Sequence, residues 1–131
     1  SAGGMLAIDE SLTGEDQQKV LDFARPSTAL YVGGMGARGK NFYNDICKSY
    51  GYEKEAVEIQ DLYLDGKKQE AAAKVPSEWL LNSHLVGPKN FVKERLAAFK
   101  EAGVTVISVN PIGPDAVQQV ELLRSLIDDV R

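Results

Sequence analysis

Apolar and polar positions in the N-terminal part of the chain follow first a strand pattern and then a helical one. The run Met5–Ile8 is continuously apolar and is followed by the polar stretch Asp9–Ser11, which predicts a buried strand that ends in a polar loop. Thr13 or Gly14 then caps a predicted helix that extends to about Ala24. Two acidic residues in its first turn complement the helix dipole.

Proline and glycine divide the next stretch. The pair Arg25-Pro26 ends the first helix, because proline disfavours helical backbone in the residue before it. Pro26 can open a second helix, with an apolar body at Ala29–Val32 and an end at Gly33–Gly36. A strand over Ala29–Val32 is the alternative, since a short apolar run does not distinguish the two by periodicity.

Short helices are predicted through the middle of the chain. Helical spacing over 41–50 places Phe42 on an apolar face, and Gly51 supplies the stop. Further helices are predicted over 53–64 and 67–74, and Ser77 caps a short one that contains Trp79, Leu80 and Leu81.

The C-terminal part carries the clearest pattern. Pro88–Ala102 is predicted as a helix that Gly103 closes, and the β-branched run Val104–Val109 as a second strand. Asn110–Gly113 is predicted as a loop. Pro114 opens the last helix, whose apolar stripe is Val117, Val120, Leu123, Ile127 and Val130.

These elements predict an α/β chain that is helix-rich overall. It consists of a strand–helix unit over 5–24, a helical insertion over 25–85 and a helix–strand–helix unit over 86–131. A complete eight-stranded α/β barrel takes ~250 residues, and two strands are too few for a parallel sheet covered on both faces. The 131 residues are therefore either a small single domain or a fragment of a barrel.

Composition and charge narrow the classes of function. Hydrophobic residues make up 44% and charged residues 26%, which is usual for a globular domain. A net charge of −4 argues against nucleic acid as a partner, and no apolar run approaches the ~20 residues of a membrane helix. The single cysteine, Cys47, favours a reducing, cytoplasmic location. The single histidine, His84, and the absence of zinc-ligand spacing argue against a metal site.

Several segments together resemble the luciferase-like monooxygenase family, most closely its members that use the deazaflavin coenzyme F420. The resemblance rests on five stretches, which are Arg25-Pro26 with Ala29–Gly36, Asn41–Tyr43, Tyr50–Glu53 with Ile59–Leu64, Leu85–Pro88, and Phe91–Phe99 with Glu101–Thr105. It covers roughly Leu21–Pro111. A weaker resemblance of Met5–Ser11 to the first strand of class I fructose-bisphosphate aldolases has no matching lysine context elsewhere.

The family resemblance implies a fold, a cofactor and a reaction. It implies a partial TIM barrel, with Met5–Ile8 as the seventh strand, Val104–Val109 as the eighth, and a multi-helix insertion between them. The intact parent would use F420 or FMN to transfer hydride to or from a small organic substrate, and this chain alone would be inactive. The alternative is a non-enzymatic helical domain that binds a protein partner or forms a homo-oligomer or domain-swapped dimer.

Candidate binding residues follow from the barrel architecture and from one glycine-rich stretch. Sites in such barrels lie at the carboxyl ends of the strands, where Asn110 could bind a substrate or a cofactor ring, or could simply cap a turn. Gly34 and Gly36 lie beside Arg38 and Lys40, and free amides and cations together could bind an anionic group. The other interpretation of this stretch is a helix end with solvated cations.

Other conspicuous side chains have structural explanations. Tyr31 and Tyr43 are predicted to pack in the core rather than to line a pocket. Cys47 is predicted to be an inert, buried thiol, and His84 to be a structural residue. No catalytic residue is predicted.

Overall fold

The chain divides into two compact units. The computed structural model describes residues 2–131. The first unit combines the residues up to Asp22 with Glu78–Arg131, and the second is Phe23–Ser77. The second unit overlaps the helical insertion predicted over 25–85.

The first unit is a three-stranded parallel sheet with helices. Its elements are β1 (Ala2–Ile8), α1 (Gly14–Asp22), α6 (Ser77–Ser83, which begins at the unit boundary), β2 (Leu85–Gly87), α7 (Lys89–Glu101), β3 (Ile107–Pro111) and α8 (Ala116–Val130). The strand order is β2-β1-β3, so β1 is central. Leu6 of β1 pairs with Leu85 on one side and with Pro111 on the other. The mixed, helix-rich α/β class predicted from the sequence is confirmed.

The core of this unit lies between the sheet and helices α7 and α8. Its buried members are Leu6, Ile8, Leu85, Val92, Leu96, Leu123 and Leu126. Ile107 and Val109 of β3 pack against the same cluster. Because side chains alternate along a strand, Ser108 and Asn110 lie on the opposite face, where they are exposed.

The second unit is built only from helices. Its elements are α2 (Arg25–Ala29), a π-helix (Leu30–Gly34), α3 (Phe42–Ser49), α4 (Glu53–Leu64) and α5 (Lys68–Ala73). Buried side chains of its core include Val32, Cys47, Ala56, Ile59 and Ala71. The helical interpretation of Ala29–Val32 is confirmed, although the helix continues with π rather than α geometry.

The strands differ from the prediction at three points. β2 was missed, because three residues between two helices give no alternation to detect. The second predicted strand, Val104–Val109, begins only at Ile107, since the Val104 N–H donates to the Phe99 carbonyl at 2.9 Å and thereby completes the end of α7. The loop predicted for Asn110–Gly113 is wrong for its first two residues, which belong to β3.

Two predicted apolar faces are also wrong in part. Val117 and Val120 of the α8 stripe are 68% and 46% exposed, whereas Leu126, outside that stripe, is buried. Phe42, the first residue of α3, is 69% exposed rather than part of an apolar face. Among residues 2–131, no helix is long and apolar enough to cross a membrane.

Candidate functional site

The carboxyl ends of β1 and β3 enclose a pocket of about 330 Å³ in the first unit. Its polar lining includes Asp9 after β1 together with Asp115 and Gln119 at the start of α8. Leu12, Val20, Ile112 and Pro114 supply its apolar lining. This is the end of a parallel sheet at which ligands bind in α/β proteins.

The two carboxylates give this pocket a negative character. Asp9 Oδ1 accepts hydrogen bonds from the Ser11 hydroxyl at 2.6 Å and the Ser11 N–H at 2.8 Å. These two bonds lower the pKa of Asp9 below its usual range, and the bond from the hydroxyl has the larger effect. Asp115 Oδ1 accepts from the Gln118 N–H at 3.0 Å and caps α8. A pocket lined by two carboxyl groups disfavours a phosphate group and suits an uncharged or cationic one.

Gln119 extends the sheet where β3 has ended, and sequence reasoning missed it. Its Oε1 accepts from the Ile8 N–H at 2.7 Å, and its Nε2 donates to the Ile8 carbonyl at 3.1 Å. One side-chain amide therefore replaces the backbone of a neighbouring strand. The available signal was that Gln119 lies one helical turn before the buried Leu123, on the face that an amphipathic helix turns to the core.

Asn110 lies within β3, not after it. It is in register with Met5 of β1 and exposed on the sheet face opposite to the core cluster. Its amide is therefore available to a ligand above that face. The interpretation as a turn cap is wrong, since the residue has strand pairing.

The glycine-rich stretch of the second unit is packed rather than open at its first glycines. A Cβ on Gly33 would lie 2.6 Å from Tyr63 Cβ, and one on Gly34 would lie 2.4 Å from Tyr63 Cε1. A Cβ on Gly36 would lie 2.5 Å from the Lys40 carbonyl oxygen. These glycines permit the close approach of the π-helix to α4 and a tight turn before α3.

The two cations predicted beside these glycines differ in their surroundings. Arg38 Nη1 lies 2.8 Å from Asp61 Oδ1, and both side chains are more than half exposed. Lys40 is exposed, and its N–H donates to the Ala37 carbonyl at 2.9 Å in the turn. Because Asp61 partly neutralises Arg38, Lys40 contributes more of the positive charge at this turn.

Two buried asparagines hold the π-helix, and neither was predicted from the sequence. Asn41 Nδ2 donates to the carbonyls of Tyr31 and Val32 at 3.1 and 3.0 Å, while its Oδ1 accepts from the Asn44 N–H at 3.0 Å. Asn44 Nδ2 donates to the carbonyls of Val32 and Ala56 at 3.0 and 2.9 Å. The only signal was an N-cap pattern, in which asparagine precedes a helix.

Tyr31 and Tyr43 are not core residues, so that prediction is wrong. They are 44% and 42% exposed, and their ring centroids are 4.9 Å apart. Phe42 adds a third ring, 5.7 Å from Tyr43. At the start of α3 it is the N-cap residue Asn41 that is buried.

Cys47 and His84 have the structural roles predicted for them. Cys47 is fully buried. Its burial and, to a smaller extent, the negative charge of Glu55 raise the pKa of the thiol to about 11. This high pKa disfavours the reactive thiolate. His84 Nδ1 accepts a hydrogen bond from the Met5 N–H. Among residues 2–131, no group of three metal-ligating side chains is assembled.

Comparison with known proteins identifies the family. The model of the luciferase-like monooxygenase family matches residues 11–106, which is more than half of the chain. The chain belongs to this family, as its sequence motifs predicted.

A relative from Mycobacterium tuberculosis (strain ATCC 25618 / H37Rv) has the provisional name coenzyme F420-dependent oxidoreductase Rv3520c. It is 32% identical over 109 residues, which are 83% of this chain and 31% of the relative. The chain thus spans about a third of the length of this relative. No solved structure matches the chain.

Proposed function

We propose that this chain is the C-terminal part of a deazaflavin- or flavin-dependent oxidoreductase of the luciferase-like family. The observation that carries the proposal is the family match over residues 11–106, together with a relative named as F420-dependent. The intact protein would transfer hydride between F420 or FMN and a small organic substrate. Its location would be cytoplasmic, which the free, buried Cys47 favours.

The observed strand order β2-β1-β3 differs from that of a TIM barrel, in which each strand lies beside the next strand along the chain. β1 and β3 are parallel neighbours, but β2 lies between them in the chain and pairs with the other side of β1, which the assignment to the seventh and eighth barrel strands does not account for. Helices α7 and α8 pack on one face of the sheet, as helices do on the outside of a barrel. The opposite face, with Ser108 and Asn110, would then be directed to the barrel interior.

The described residues do not fit a complete cofactor site. The space beside Gly33 and Gly34 is occupied by Tyr63, and Arg38 is paired with Asp61. The glycine-rich stretch alone therefore does not form a phosphate-binding site. We propose that Gly34, Gly36, Arg38, Lys40 and Asn110 supply only part of the cofactor- or substrate-binding surface of the parent. The isolated chain would accordingly lack activity.

A chimeric enzyme tests this proposal. The segment of the mycobacterial relative that matches this chain is replaced by residues 1–131, and binding of F420 is followed by the fluorescence of the cofactor. We expect the chimera to bind F420, and Lys40→Ala or Asn110→Ala to weaken binding several-fold. Lys89→Ala and Asn90→Ala, which change exposed residues of α7, are matched controls and should leave affinity unchanged. A chimera with the circular dichroism of the relative but no affinity for F420 would contradict the proposal.

A second candidate function is non-enzymatic self-association. The observation that favours it is the position of β2 and β3 at the two edges of the sheet, since open edges pair readily with another chain. Sedimentation equilibrium over a range of protein concentrations tests it. A concentration-independent monomer would exclude self-association.

A further inference from the structure

The strand order places a topological switch point at the carboxyl ends of β1 and β3. From β1 the chain continues to β2 on one side, and it then crosses to β3 on the other side. In open parallel sheets, the crevice outside the carboxyl ends of two such strands is where ligands bind. Because β1 is paired on both sides, this point lies inside the sheet and not at one of its edges.

The pocket of about 330 Å³ lies at this switch point. One wall is formed by Ala7–Asp9 at the end of β1, and the other by Ile112–Asp115 in the loop after β3. A volume at the lower end of the range for ligand pockets suits a small molecule. Of the residues that the structure describes, neither Asn110 nor any of Gly34–Lys40 lines it, so a site here goes beyond the proposed function.

Hydrogen bonds hold the walls of the pocket in place. The Asp9 N–H donates to the Gly87 carbonyl at 3.1 Å, and the Asp9 carbonyl accepts from the Leu12 N–H at 3.0 Å. Gln119 connects α8 to the end of β1 through its two bonds to Ile8. The pocket is therefore formed before a ligand arrives, which reduces the cost of ordering on binding.

Each of the two carboxyl groups in the lining has one oxygen available for a ligand. Within residues 2–131, the hydrogen bonds of Asp9 and of Asp115 are accepted by Oδ1. Oδ1 thus fixes each side chain, to a turn in one case and to the start of α8 in the other, while Oδ2 keeps its capacity as an acceptor. The exposed side-chain amide of Gln118 adds a carbonyl oxygen to the same lining.

This set of groups selects the class of ligand. The start of a helix attracts anions, but Asp115 already caps α8 and offsets its positive end. The described lining residues include no lysine, arginine or histidine that would bind an anion. Two carboxyl groups are also fewer ligands than a bound metal ion takes from its surroundings. An organic cation uses both the acceptor oxygens and the apolar part of the wall.

From this combination we propose that the pocket binds a small organic cation. Its ammonium or guanidinium group donates hydrogen bonds to Asp9 and Asp115, and its apolar group packs against Leu12, Val20 and Ile112. The site is formed entirely by residues of the first unit.

A panel of four probes with the same phenyl group tests the class of ligand. Phenethylammonium and phenethylguanidinium carry the two cationic groups, 2-phenylethanol is the uncharged counterpart, and 3-phenylpropionate is the anionic one. Each is titrated into the ¹⁵N-labelled chain. Either cation should shift the amide resonances of Asp9, Gly113 and Gln118 saturably, and the one that binds more tightly identifies the head group. 2-Phenylethanol should bind more weakly than that cation, and 3-phenylpropionate should cause no saturable shift.

Charge removal at the two carboxyl groups tests their role. In Asp9→Asn and Asp115→Asn the side chain keeps the oxygen that accepts the existing hydrogen bond, and asparagine caps a helix as well as aspartate does. Each variant should therefore fold, with amide spectra like that of the wild type outside the pocket. Each should raise the dissociation constant of the preferred cation about three- to fivefold, the upper part of what one exposed charge pair contributes. Asp16→Asn, an exposed residue of α1 outside the lining, is the matched control and should leave it unchanged.

The contrary results are distinct. A wild-type chain whose pocket amides shift with neither cation overturns the site. Equal affinity for 2-phenylethanol and the preferred cation, or an equal loss of affinity in Asp16→Asn, overturns the assignment to a cation. Binding of F420 by the chimera is a separate measurement, so either of these failures leaves the proposed function standing.

Discussion

His84 Nδ1 accepts a hydrogen bond from the backbone N–H of Met5 at 2.9 Å. Pairing of β1 with β2 begins one residue later, where Leu6 is in register with Leu85. The imidazole therefore serves Met5 just before the backbone ladder begins. Gly4 makes room for the ring, since a Cβ there would lie 2.4 Å from Nδ1. The structural role predicted for His84 is thus that of a hydrogen-bond acceptor at the edge of the β1–β2 pairing.

This contact predicts a pH-dependent stability. Burial lowers the pKa of His84 below its ordinary value, whereas in the unfolded chain the group titrates near ~6.5. Between the two pKa values the unfolded state therefore binds more protons than the folded state. The contribution of the neutral imidazole to the free energy of unfolding is fully present above the unfolded pKa and is lost as pH falls through the folded pKa. Urea unfolding at a series of pH values should show this decline on the acid side of neutrality.

The variant His84→Ala isolates the contribution of the imidazole. At neutral pH it should lower the free energy of unfolding by about 1 kcal/mol, the usual net value of one hydrogen bond. The variant should also show a smaller difference in the free energy of unfolding between neutral and mildly acid pH than the wild type does. If His84→Ala kept the full pH dependence of the wild type, another group would be responsible.

Gln119→Ala should destabilise the first unit. The substitution leaves the N–H and the C=O of the buried Ile8 without the partners that Gln119 provides at 2.7 and 3.1 Å. We expect the free energy of unfolding to fall by roughly 1–3 kcal/mol. Gln118→Ala removes the neighbouring, exposed amide and is the matched control. Equal stability of the two variants would show that the contact with Ile8 contributes nothing.

Alanine at Gly33 and Gly34 tests whether these residues are needed for packing. At Gly33 the new methyl would meet the Ile59 carbonyl oxygen at 3.0 Å as well as Tyr63 Cβ, whereas at Gly34 the nearest atoms belong to the Tyr63 ring. Backbone cannot move aside as a ring can, so Gly33→Ala should cost more, about 1–3 kcal/mol. In thermal unfolding, Tyr63→Ala should rescue Gly34→Ala but not fully rescue Gly33→Ala. The reverse order of stabilities would contradict this explanation.

Sequence patterns predicted those elements whose determinants are local. The helix over 53–64 was predicted with its bounds, because its stop at Gly66 and its apolar positions lie within the same stretch. The π-helix was not, since Asn41 and Asn44 satisfy its carbonyls from about ten residues away. The start of β3 was placed too early for a similar reason, because a hydrogen bond to Phe99 retains Val104 at the end of α7.

The candidate site was predictable in position but less so in composition. The polar residues after β1 follow from the strand pattern, and Asp9 does line the pocket at that end of the sheet. Gln119 joins it only through the fold, which brings residues 111 positions apart into contact. Family membership followed from motifs, and those motifs are partly packing motifs, since Gly33 and Gly34 contact Tyr63.

Titration of the isolated chain with F420 and FMN, each oxidised and reduced, tests the central claim that these residues carry only part of a cofactor site. Cofactor fluorescence is followed as the protein concentration is raised. The account predicts no saturable change up to protein concentrations well above micromolar. Saturable binding with a micromolar dissociation constant by the chain alone would contradict it, because Lys40, Asn110 and their neighbours would then suffice.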